Sequence, residues 1–531
     1  MHGLQHCSMG KTSLAFAKIL LVSALLASAA CAPKPAPAAK TELTLGSSAA
    51  DINTLDPHFA SGTADRTLVA WIYGALVRFP PGTIDAEALE PDLAESWSAS
   101  DDGLVWIFKL RHGVQWQRGY GEVTADDVVF SLLKSADPSR SAYSSDYAAF
   151  DAVEALDPYT VRIKLKYRVP SVLGLLSNYS GGFIISRKAY EALGSDFARN
   201  PVGFGPFQFE SIELGVAVTF VPHKAYFRGA PQLTKVKYRF LSSASARGLA
   251  FLAGEIDAAT GAADQNWLRH VKATPGATID IFEPSELNLL HVNTKMPPFD
   301  NLLVRQALAH AVDPKRLPQY RGAEFSRPAR SVVPSDNLGY TDDVPRYEFN
   351  PGKARSLLRK AGYPNGLAFN MLASQSPGYY AELQILQANL KESGITVTLQ
   401  PAEHATWHQL IRKDLSPVVA YGASRFPIAD VYLTQFFHSS SSVGTPSAVT
   451  NFSHCSVADA QIEAARVELD PQRRDELWQE AQRLIIQAVC AIPSSEGAQV
   501  WVRNEKVDWG FPLKASISLG PLVTERTRIV E

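Results

Sequence analysis

The sequence lacks an excess of charge of either sign. Its 531 residues carry 51 lysines and arginines against 53 aspartates and glutamates, a formal net charge of −2 at pH 7. Nucleic acids and anionic membrane surfaces are bound through concentrated positive charge, which this composition does not supply. With 46% hydrophobic and 20% charged residues, the chain has the composition of a globular protein. Its length predicts two or three lobes, since one ordinary core does not grow to this size.

Long hydrophobic runs are lacking as well. The apolar stretch near the N-terminus, Ile19 to Ala27, is too short to span a bilayer as a mature helix. Lys11 and Lys18 precede this stretch, and the small residues Ser28 to Ala30 follow it. A positive segment, a short apolar segment and small residues in this order are typical of an export signal.

We therefore predict a signal peptide over residues 1–31, ending at Cys31. Small residues directly before a cysteine resemble a bacterial lipoprotein cleavage site, and this resemblance implies that Cys31 carries a lipid. An ordinary signal peptide that is cut nearby is the alternative. Residues 32–40 are rich in proline and alanine, which predicts an extended, stiff tether that holds the protein away from a surface.

Cysteine is scarce, with four in the whole chain. Cys7 would leave with the signal peptide, and Cys31 would carry the lipid. Cys455 and Cys490 remain, and an exported protein reaches an oxidising compartment, so they are candidates for one disulfide. Two unpaired buried thiols are the alternative that the sequence leaves open.

Catalytic motifs are lacking too. No Gly-x-Ser-x-Gly stretch occurs, and no residues suggest a nucleophile, a base and an orienting acid. His404 and His408 lie four residues apart, which on a helix places both on one face as metal ligands would be. Glu403 precedes the pair, so the metalloprotease arrangement with a glutamate between the histidines is missing. We predict no enzyme, no metal and no cofactor, and keep a secreted metal-dependent hydrolase built on this pair as an alternative.

The most informative stretch that is present runs from Pro91 to Lys134. Asp102 and Gly103 are typical turn residues, because glycine accepts a positive φ and aspartate bonds its own backbone. Leu104 to Leu110 is rich in strand-forming residues. Thr124 followed by Asp127 predicts a capping box at the start of a helix. The stretch thus predicts a hairpin arm followed by a helix.

This stretch resembles the signature of the extracellular solute-binding proteins of family 5, the peptide and nickel class that serves ABC importers. Asn200 to Phe207, with two glycines and two prolines, resembles the same family's crossover between lobes. Similar segments follow in the same order over nearly the whole mature chain. The matching residues of the signature are Leu93, Ala94, Ser96, Trp97, Asp102, Gly103, Phe108, Leu110, Arg111, Gly113, Val114 and Thr124 to Leu132.

The resemblance implies a mixed α/β, two-lobed periplasmic-binding-protein-like fold of the class II, cluster C type. An extra inserted subdomain and a hinge belong to this fold, and the lobes are expected to close around a ligand. The predicted division of the chain is lobe I at 41–80, 202–290 and 500–531, the inserted subdomain at 81–201, and lobe II at 291–499.

Tyr421 to Leu433 departs from the family pattern, since peptide-binding members carry an acid there to hold a peptide's ammonium group. This chain has Arg425 before Pro427, and Asp430 only after it. Three interpretations stay open. Asp430 takes over the ammonium through a shifted loop, or Arg425 faces the cleft and holds a carboxylate or phosphate, or Arg425 is an exposed structural residue.

Other candidate ligand contacts come from the resemblance and from aromatic residues. Family members contact ligand through the backbone before their first helix, which here is Ser61, Gly62 and Thr63. The aromatic residues Tyr379, Trp407 and Tyr421 are candidates for lining a cleft, although aromatics are more often core. Dipeptide-binding members carry an arginine in the segment that matches Ser374 to Tyr380, and this segment has none, which argues against a strict dipeptide binder.

The function that the resemblance implies is capture of oligopeptide-like solutes in the periplasm. The protein would deliver them to an ABC permease of the inner membrane and would touch the membrane only through its lipid anchor. We expect a monomer with no nucleic-acid partner. The alternative on the same scaffold is an anionic or sugar-containing solute.

Overall fold

A nine-stranded mixed sheet lies at the centre of the fold in the computed structural model of the protein. The structure describes residues 40–170, 172–177, 179–262, 265–444 and 450–530. The predicted signal peptide, Cys31 and residues 32–39 of the predicted tether lie outside the described residues. Among the helices within those ranges, none combines the length and apolar character that a bilayer crossing requires.

Nineteen strands are formed in the described residues. In chain order they are β1 (Glu42–Ser47), β2 (Val77–Arg78), β3 (Glu90–Pro91), β4 (Ala94–Ala99), β5 (Val105–Leu110), β6 (Phe150–Asp157), β7 (Thr160–Leu165), β8 (Phe207–Glu213), β9 (Ala217–Pro222), β10 (Lys235–Phe240), β11 (Ala258–Thr260), β12 (Ala277–Val292), β13 (Ser326–Pro328), β14 (Leu367–Ser374), β15 (Ile395–Ala402), β16 (Val418–Ala423), β17 (Ala491–Asn504), β18 (Val507–Asp508) and β19 (Arg528–Ile529).

The α-helices of the described residues surround these strands. They are α1 (Thr63–Ile72), α2 (Ala125–Ala136), α3 (Val172–Leu175), α4 (Arg187–Leu193), α5 (Ala244–Leu252), α6 (Gln265–Lys272), α7 (Leu302–Ala311), α8 (Arg316–Arg321), α9 (Pro351–Lys360), α10 (Pro377–Glu392), α11 (His404–Arg412), α12 (Ala429–Phe437), α13 (Asp459–Val467) and α14 (Pro471–Gln487).

The large sheet has the strand order β16-β12-β17-β11-β1-β10-β9-β8, with β13 paired to β17. β1 is parallel to β10 and β11, and the remaining pairs are antiparallel. The long antiparallel pair β12 and β17 lies between β16 and β11 in this sheet, with a register shift between Phe282 and Glu286. The half of β12 that follows the shift lies between β17 and β16, whereas the C-terminal part of β17 lies between the first half of β12 and β11.

The signature stretch forms the arm and the helix that its sequence predicts. Strands β4, β5, β7 and β6 make a separate antiparallel sheet, and α2 starts after Thr124. The Thr124 backbone N–H donates to Asp127 Oδ2 at 3.1 Å, and the capping box is complete. Local sequence chemistry therefore determined where this helix begins.

Separate hydrophobic cores form at the two ends of the β12–β17 pair. The first draws on β1, α1, the small sheet and C-terminal residues such as Trp509. On the other side, one core lies around α12, α13 and α14, and a neighbouring core lies around α7, α9 and α10. Phe79 and Ile84, which the predicted boundaries assign to lobe I and to the inserted subdomain, lie in the core around α12. The exact division of the chain stays a prediction.

Cys455 and Cys490 are bonded to each other in the structure, with the two Cα atoms 5.8 Å apart. Both side chains are buried in the core around α12 to α14. The bond joins the residue that precedes β17 to the segment before α13.

Candidate ligand-binding cleft

Arg425 stands where β16 ends and the chain turns into α12. Its backbone N–H donates to Tyr432 Oη at 2.9 Å, and its Nε donates to Gln435 Oε1 at 2.7 Å. Both partners lie on α12, and the guanidinium carbon lies 5.3 Å from the centre of the Phe436 ring on the same helix. Packing of α12 on the end of β16 therefore sets the direction of the Arg425 side chain.

No carboxylate among the described residues forms an ion pair with Arg425. Gln435 links Arg425 to the carboxylate of Asp146. Its Oε1 accepts from Arg425 Nε, and its Nε2 donates to Asp146 Oδ1 at 3.2 Å. Burial raises the pKa of the Asp146 carboxyl to about 6, although the positive charge of Arg425 opposes the shift. The half-buried guanidinium thus keeps a positive charge that the surrounding side chains do not pair directly.

Two further arginines reach the same region from different elements. Burial alone would raise the pKa of the Tyr421 phenol, but the guanidiniums of Arg425, Arg412 and Arg66 outweigh it, and the pKa falls below its ordinary value. Arg66 comes from α1, on the side of the first core, and its guanidinium lies 4.5 Å from the centre of the Tyr179 ring. Its buried Nε has no hydrogen-bond partner among the described residues. Arginines from α1, α11 and the end of β16 therefore place three positive charges around Tyr421, in the region that we name the candidate cleft.

A row of aromatic side chains leads away from Arg425. The rings of Tyr421 and Trp407 are stacked with their centres 6.2 Å apart, and Tyr379 follows at 6.3 Å from Trp407. Tyr379 Oη donates to Glu286 Oε1 at 2.8 Å at the far end of the row. The structure thus brings together Tyr379, Trp407 and Tyr421, three of the residues that the sequence predicts as ligand contacts.

His404 and His408 lie beside this row, on one face of α11. Their ring centres are 4.7 Å apart. His404 Nδ1 is hydrogen-bonded to Ser374 Oγ, and Arg412 Nη1 donates to His408 Nδ1 at 3.2 Å. Burial and then the Arg412 charge lower the pKa of His408 to about 3. Within the described ranges no group of three His, Cys, Asp or Glu side chains could hold a metal ion, so this geometry lends no support to the hydrolase alternative.

Asp430 lies in a different environment from Arg425. Its side chain is buried, and its Oδ1 lies 3.3 Å from Arg466 Nε on α13. This ion pair connects α12 to α13 and gives Asp430 a partner within the protein. The structure therefore separates the two residues that the sequence left as competing clamps.

Ser61, Gly62 and Thr63 form the entry to α1, with Gly62 as its N-cap. The side chains of Ser61 and Thr63 are exposed, and their contact with a ligand stays a prediction. The residue of this segment that reaches the charged cleft is Arg66, one turn further along the helix. Sequence reasoning missed Arg66 because nothing nearby in the chain indicates which face of α1 points toward Tyr421.

Asp146, Tyr179, Glu286 and Gln435 were missed for a related reason. Asp146 belongs to a short 3-10 turn, Glu286 to the middle of β12 and Gln435 to α12. Each is an ordinary residue in its own segment. Gln435 is connected to the cleft through Arg425, Asp146 through Gln435, Tyr179 through Arg66, and Glu286 through Tyr379.

A family model described as bacterial extracellular solute-binding proteins, family 5 Middle, matches residues 88–444. Among curated proteins, the chain is 34% identical over 336 residues to heme-binding protein A of Haemophilus influenzae, which covers 57% of this chain and 59% of that protein. The match thus spans about three fifths of that relative's length. The glutathione-binding protein GsiB of Escherichia coli (strain K12) is 29% identical over 383 residues, 71% of each chain.

Solved structures resemble the chain over nearly its whole length. MoaA of A. tumefaciens R10 in complex with mannopinic acid is 56% identical, with a TM-score of 0.89, and covers 93% of this chain and 100% of its own. The periplasmic binding protein DppA of Helicobacter pylori in complex with the peptide STSA is 25% identical, with a TM-score of 0.83, and covers 93% of this chain and 99% of its own.

Proposed function

The chain belongs to the bacterial extracellular solute-binding proteins, family 5, the substrate-binding proteins of ABC importers, and from this premise we propose that its own solute is an anionic, hydroxyl-bearing compound such as mannopinic acid. Membership of this family and the two-lobed α/β fold, both predicted from the signature, are confirmed. Among the two solutes that the sequence left open on this scaffold, we thus rank the anionic one above the peptide.

The observation that carries this proposal is the unpaired charge of Arg425. A half-buried guanidinium without a carboxylate partner is costly, and a ligand that supplies the carboxylate offsets that cost. The planar fork of arginine matches a carboxylate and forms charge-assisted hydrogen bonds with it. An ammonium group at the same place would be repelled by Arg425, Arg412 and Arg66. The similarity to a structure that holds mannopinic acid supports the same choice.

A peptide stays the second candidate, supported by the similarity to a structure that holds the peptide STSA. A peptide also has a carboxylate, at its C-terminus, which Arg425 would accept. Its ammonium group would then need an acid elsewhere in the cleft, and Glu286 at the far end of the aromatic row is the available side chain.

Isothermal titration of the purified protein with mannopinic acid and with the tetrapeptide Ser-Thr-Ser-Ala decides between the two. We expect mannopinic acid to bind with a micromolar or lower dissociation constant, and the peptide about a hundredfold more weakly, a difference of roughly 2.7 kcal/mol. Tighter binding of the peptide would reverse the ranking and restore oligopeptide capture as the function.

The affinity for an anion is expected to depend on pH through Asp146. Burial raises the pKa of this carboxyl to about 6, so the carboxylate is charged at pH 7 and mostly neutral at pH 5. Its negative charge disfavours a bound anion, and therefore the affinity should rise about threefold as the pH falls from 7 to 5. Titrations at several pH values test this.

Asp146→Asn should remove the rise and hold the affinity near its pH 5 value. Asp430→Asn is the matched control, because Asp430 is paired with Arg466, and this variant should keep the wild-type pH profile. An Asp146→Asn profile identical to that of the wild type would show that another group titrates.

The predicted location in the cell envelope completes the proposal. We propose that lipid on Cys31 and the tether at 32–40 hold the protein at the membrane in the periplasm. It would act there as a monomer and pass its solute to the permease.

A further inference from the structure

Glu286 is a half-buried carboxylate at the end of the aromatic row. Its Oε1 accepts a hydrogen bond from Tyr379 Oη at 2.8 Å. The negative charge of Glu286, followed by burial, raises the pKa of the Tyr379 phenol well above its ordinary value, so the phenol stays protonated and serves as the donor. Within the described residues the carboxylate of Glu286 thus has a neutral partner and no ion pair.

The arginine of this region is paired with another acid. The charges of Arg321 and Glu286 interact, but Arg321 Nε donates to Glu382 Oε1 at 2.6 Å. Burial lowers the pKa of His404, although nearby carboxylates oppose the shift, so this ring is neutral at pH 7. Two carboxylates, Glu286 and Glu382, therefore share one guanidinium, and this end of the cleft carries an excess of negative charge.

Gly422 leaves the space that the Glu286 carboxylate occupies. It pairs with Asn288 in the ladder between β12 and β16, and a Cβ atom on Gly422 would overlap Glu286 Oε1 and lie 2.6 Å from Asn288 Oδ1. Glycine therefore lets the carboxylate reach the strand that carries Tyr421. Arg425 follows Gly422 by three residues, and three residues of extended chain span at most about 11 Å. Glu286 and Arg425 are thus close enough for one small solute to contact both.

We propose that Glu286 binds the protonated amine of the solute, which spans the cleft as a zwitterion with a carboxylate on Arg425. The inference rests on the proposed function and adds a cationic group to the anionic solute. A protonated amine donates charge-assisted hydrogen bonds and supplies the positive charge that this end of the cleft lacks. Arg425, Arg412 and Arg66 make the other end positive, so a zwitterion matches the cleft in both charges.

The sign of the effect of Glu286 distinguishes this role from general electrostatics. A solute that is only an anion would be repelled by Glu286, and removing the charge of Glu286 would strengthen its binding. A solute whose amine contacts Glu286 loses a charge-assisted hydrogen bond in the same variant, and its binding is weakened. The direction of the change in affinity therefore tests the contact.

Isothermal titration with two probes provides the measurement. Mannopinic acid has a hydroxylated chain on the nitrogen of glutamic acid, and its ether analogue has oxygen in place of that N–H and carries no positive charge. We expect wild-type protein to bind mannopinic acid at least tenfold more tightly than the ether. Glu286→Gln should weaken mannopinic acid by about 5- to 30-fold, and it should bind the ether as tightly as the wild type does, or more tightly.

Glu283→Gln is the matched control. Glu283 is also a half-buried carboxylate of β12, but its Oε1 lies 3.7 Å from Arg327 Nη1, so both probes should stay within twofold of the wild type. Equal binding of the two probes to wild-type protein overturns the amine contact and leaves the anionic function standing, and so does unchanged or tighter binding of mannopinic acid by Glu286→Gln. Binding of neither probe to wild-type protein overturns the proposed function, and the amine contact with it.

Discussion

Arg425→Ala should weaken binding of mannopinic acid by roughly ten- to a hundredfold. A hydrogen bond to a charged group contributes about 1.5–3 kcal/mol, which converts to this range of dissociation constants. The structure supports the upper part of the range, because the guanidinium is half-buried and has no carboxylate partner within the described residues. The side chain is also oriented in advance by Gln435 and by the Phe436 ring, so little ordering is left for the ligand to induce. Isothermal titration with the purified variant measures the effect.

Two variants separate the charge of Arg425 from its shape and its position. Arg425→Lys keeps the charge but loses the fork, so its affinity should fall between those of the wild type and the alanine variant. Asp430→Ala should leave the affinity unchanged while it lowers thermal stability, because it breaks the ion pair with Arg466. A strong affinity loss in Asp430→Ala with none in Arg425→Ala would falsify the anion-binding role and restore the peptide ammonium at Asp430.

Lys134→Met should lower the free energy of unfolding by about 3–5 kcal/mol, the range found when one partner of a buried ion pair is removed. The Lys134 side chain is fully buried on α2. Its ammonium donates to Asp56 Oδ1 at 3.1 Å and Oδ2 at 3.0 Å, to the Arg140 carbonyl at 3.1 Å and to His58 Nδ1 at 3.2 Å. The variant leaves the Asp56 carboxylate buried without its cation, and it leaves His58 Nδ1 without a donor.

Urea unfolding followed by circular dichroism measures this loss. Lys164→Met is the matched control, because Lys164 forms an ion pair of 2.7 Å with Asp151 on the surface and such pairs contribute at most about 1 kcal/mol. The double variant Lys134→Met, Asp56→Leu should recover part of the loss, since neither charge is then buried alone. A loss below about 1 kcal/mol for Lys134→Met would mean that water reaches Asp56.

The scaffold was predictable because its signals are short-range. The capping box at Thr124 needs only residues three apart, and the β5 strand follows from a few neighbouring side chains. The signature then identified the family, and the family determined the two-lobed fold. Such features can be recognised from a short stretch of sequence, because the residues that produce them lie within a single helix or strand.

The candidate cleft was predictable only in part. Tyr421, Arg425 and Asp430 lie within ten residues of one another, so the sequence indicated the segment and its change of charge. It could not choose between Arg425 and Asp430, because that choice depends on Gln435 and on Arg466, which α12 and α13 bring to the two side chains. The direction of a loop across a proline is set by what packs against it, not by the loop residues themselves.

The sequence by itself determined the family and the fold, since these depend on local patterns and on their order along the chain. Only the tertiary structure decided which charges share the cleft and which polar groups remain unpaired. Arg66 on α1 and Tyr421 on β16 are more than 350 residues apart in the sequence, and Tyr379 on α10 meets Trp407 on α11 only because both helices pack against β14 and β15. Electrostatic and hydrogen-bond energies depend on distances in space, and a linear pattern does not contain those distances.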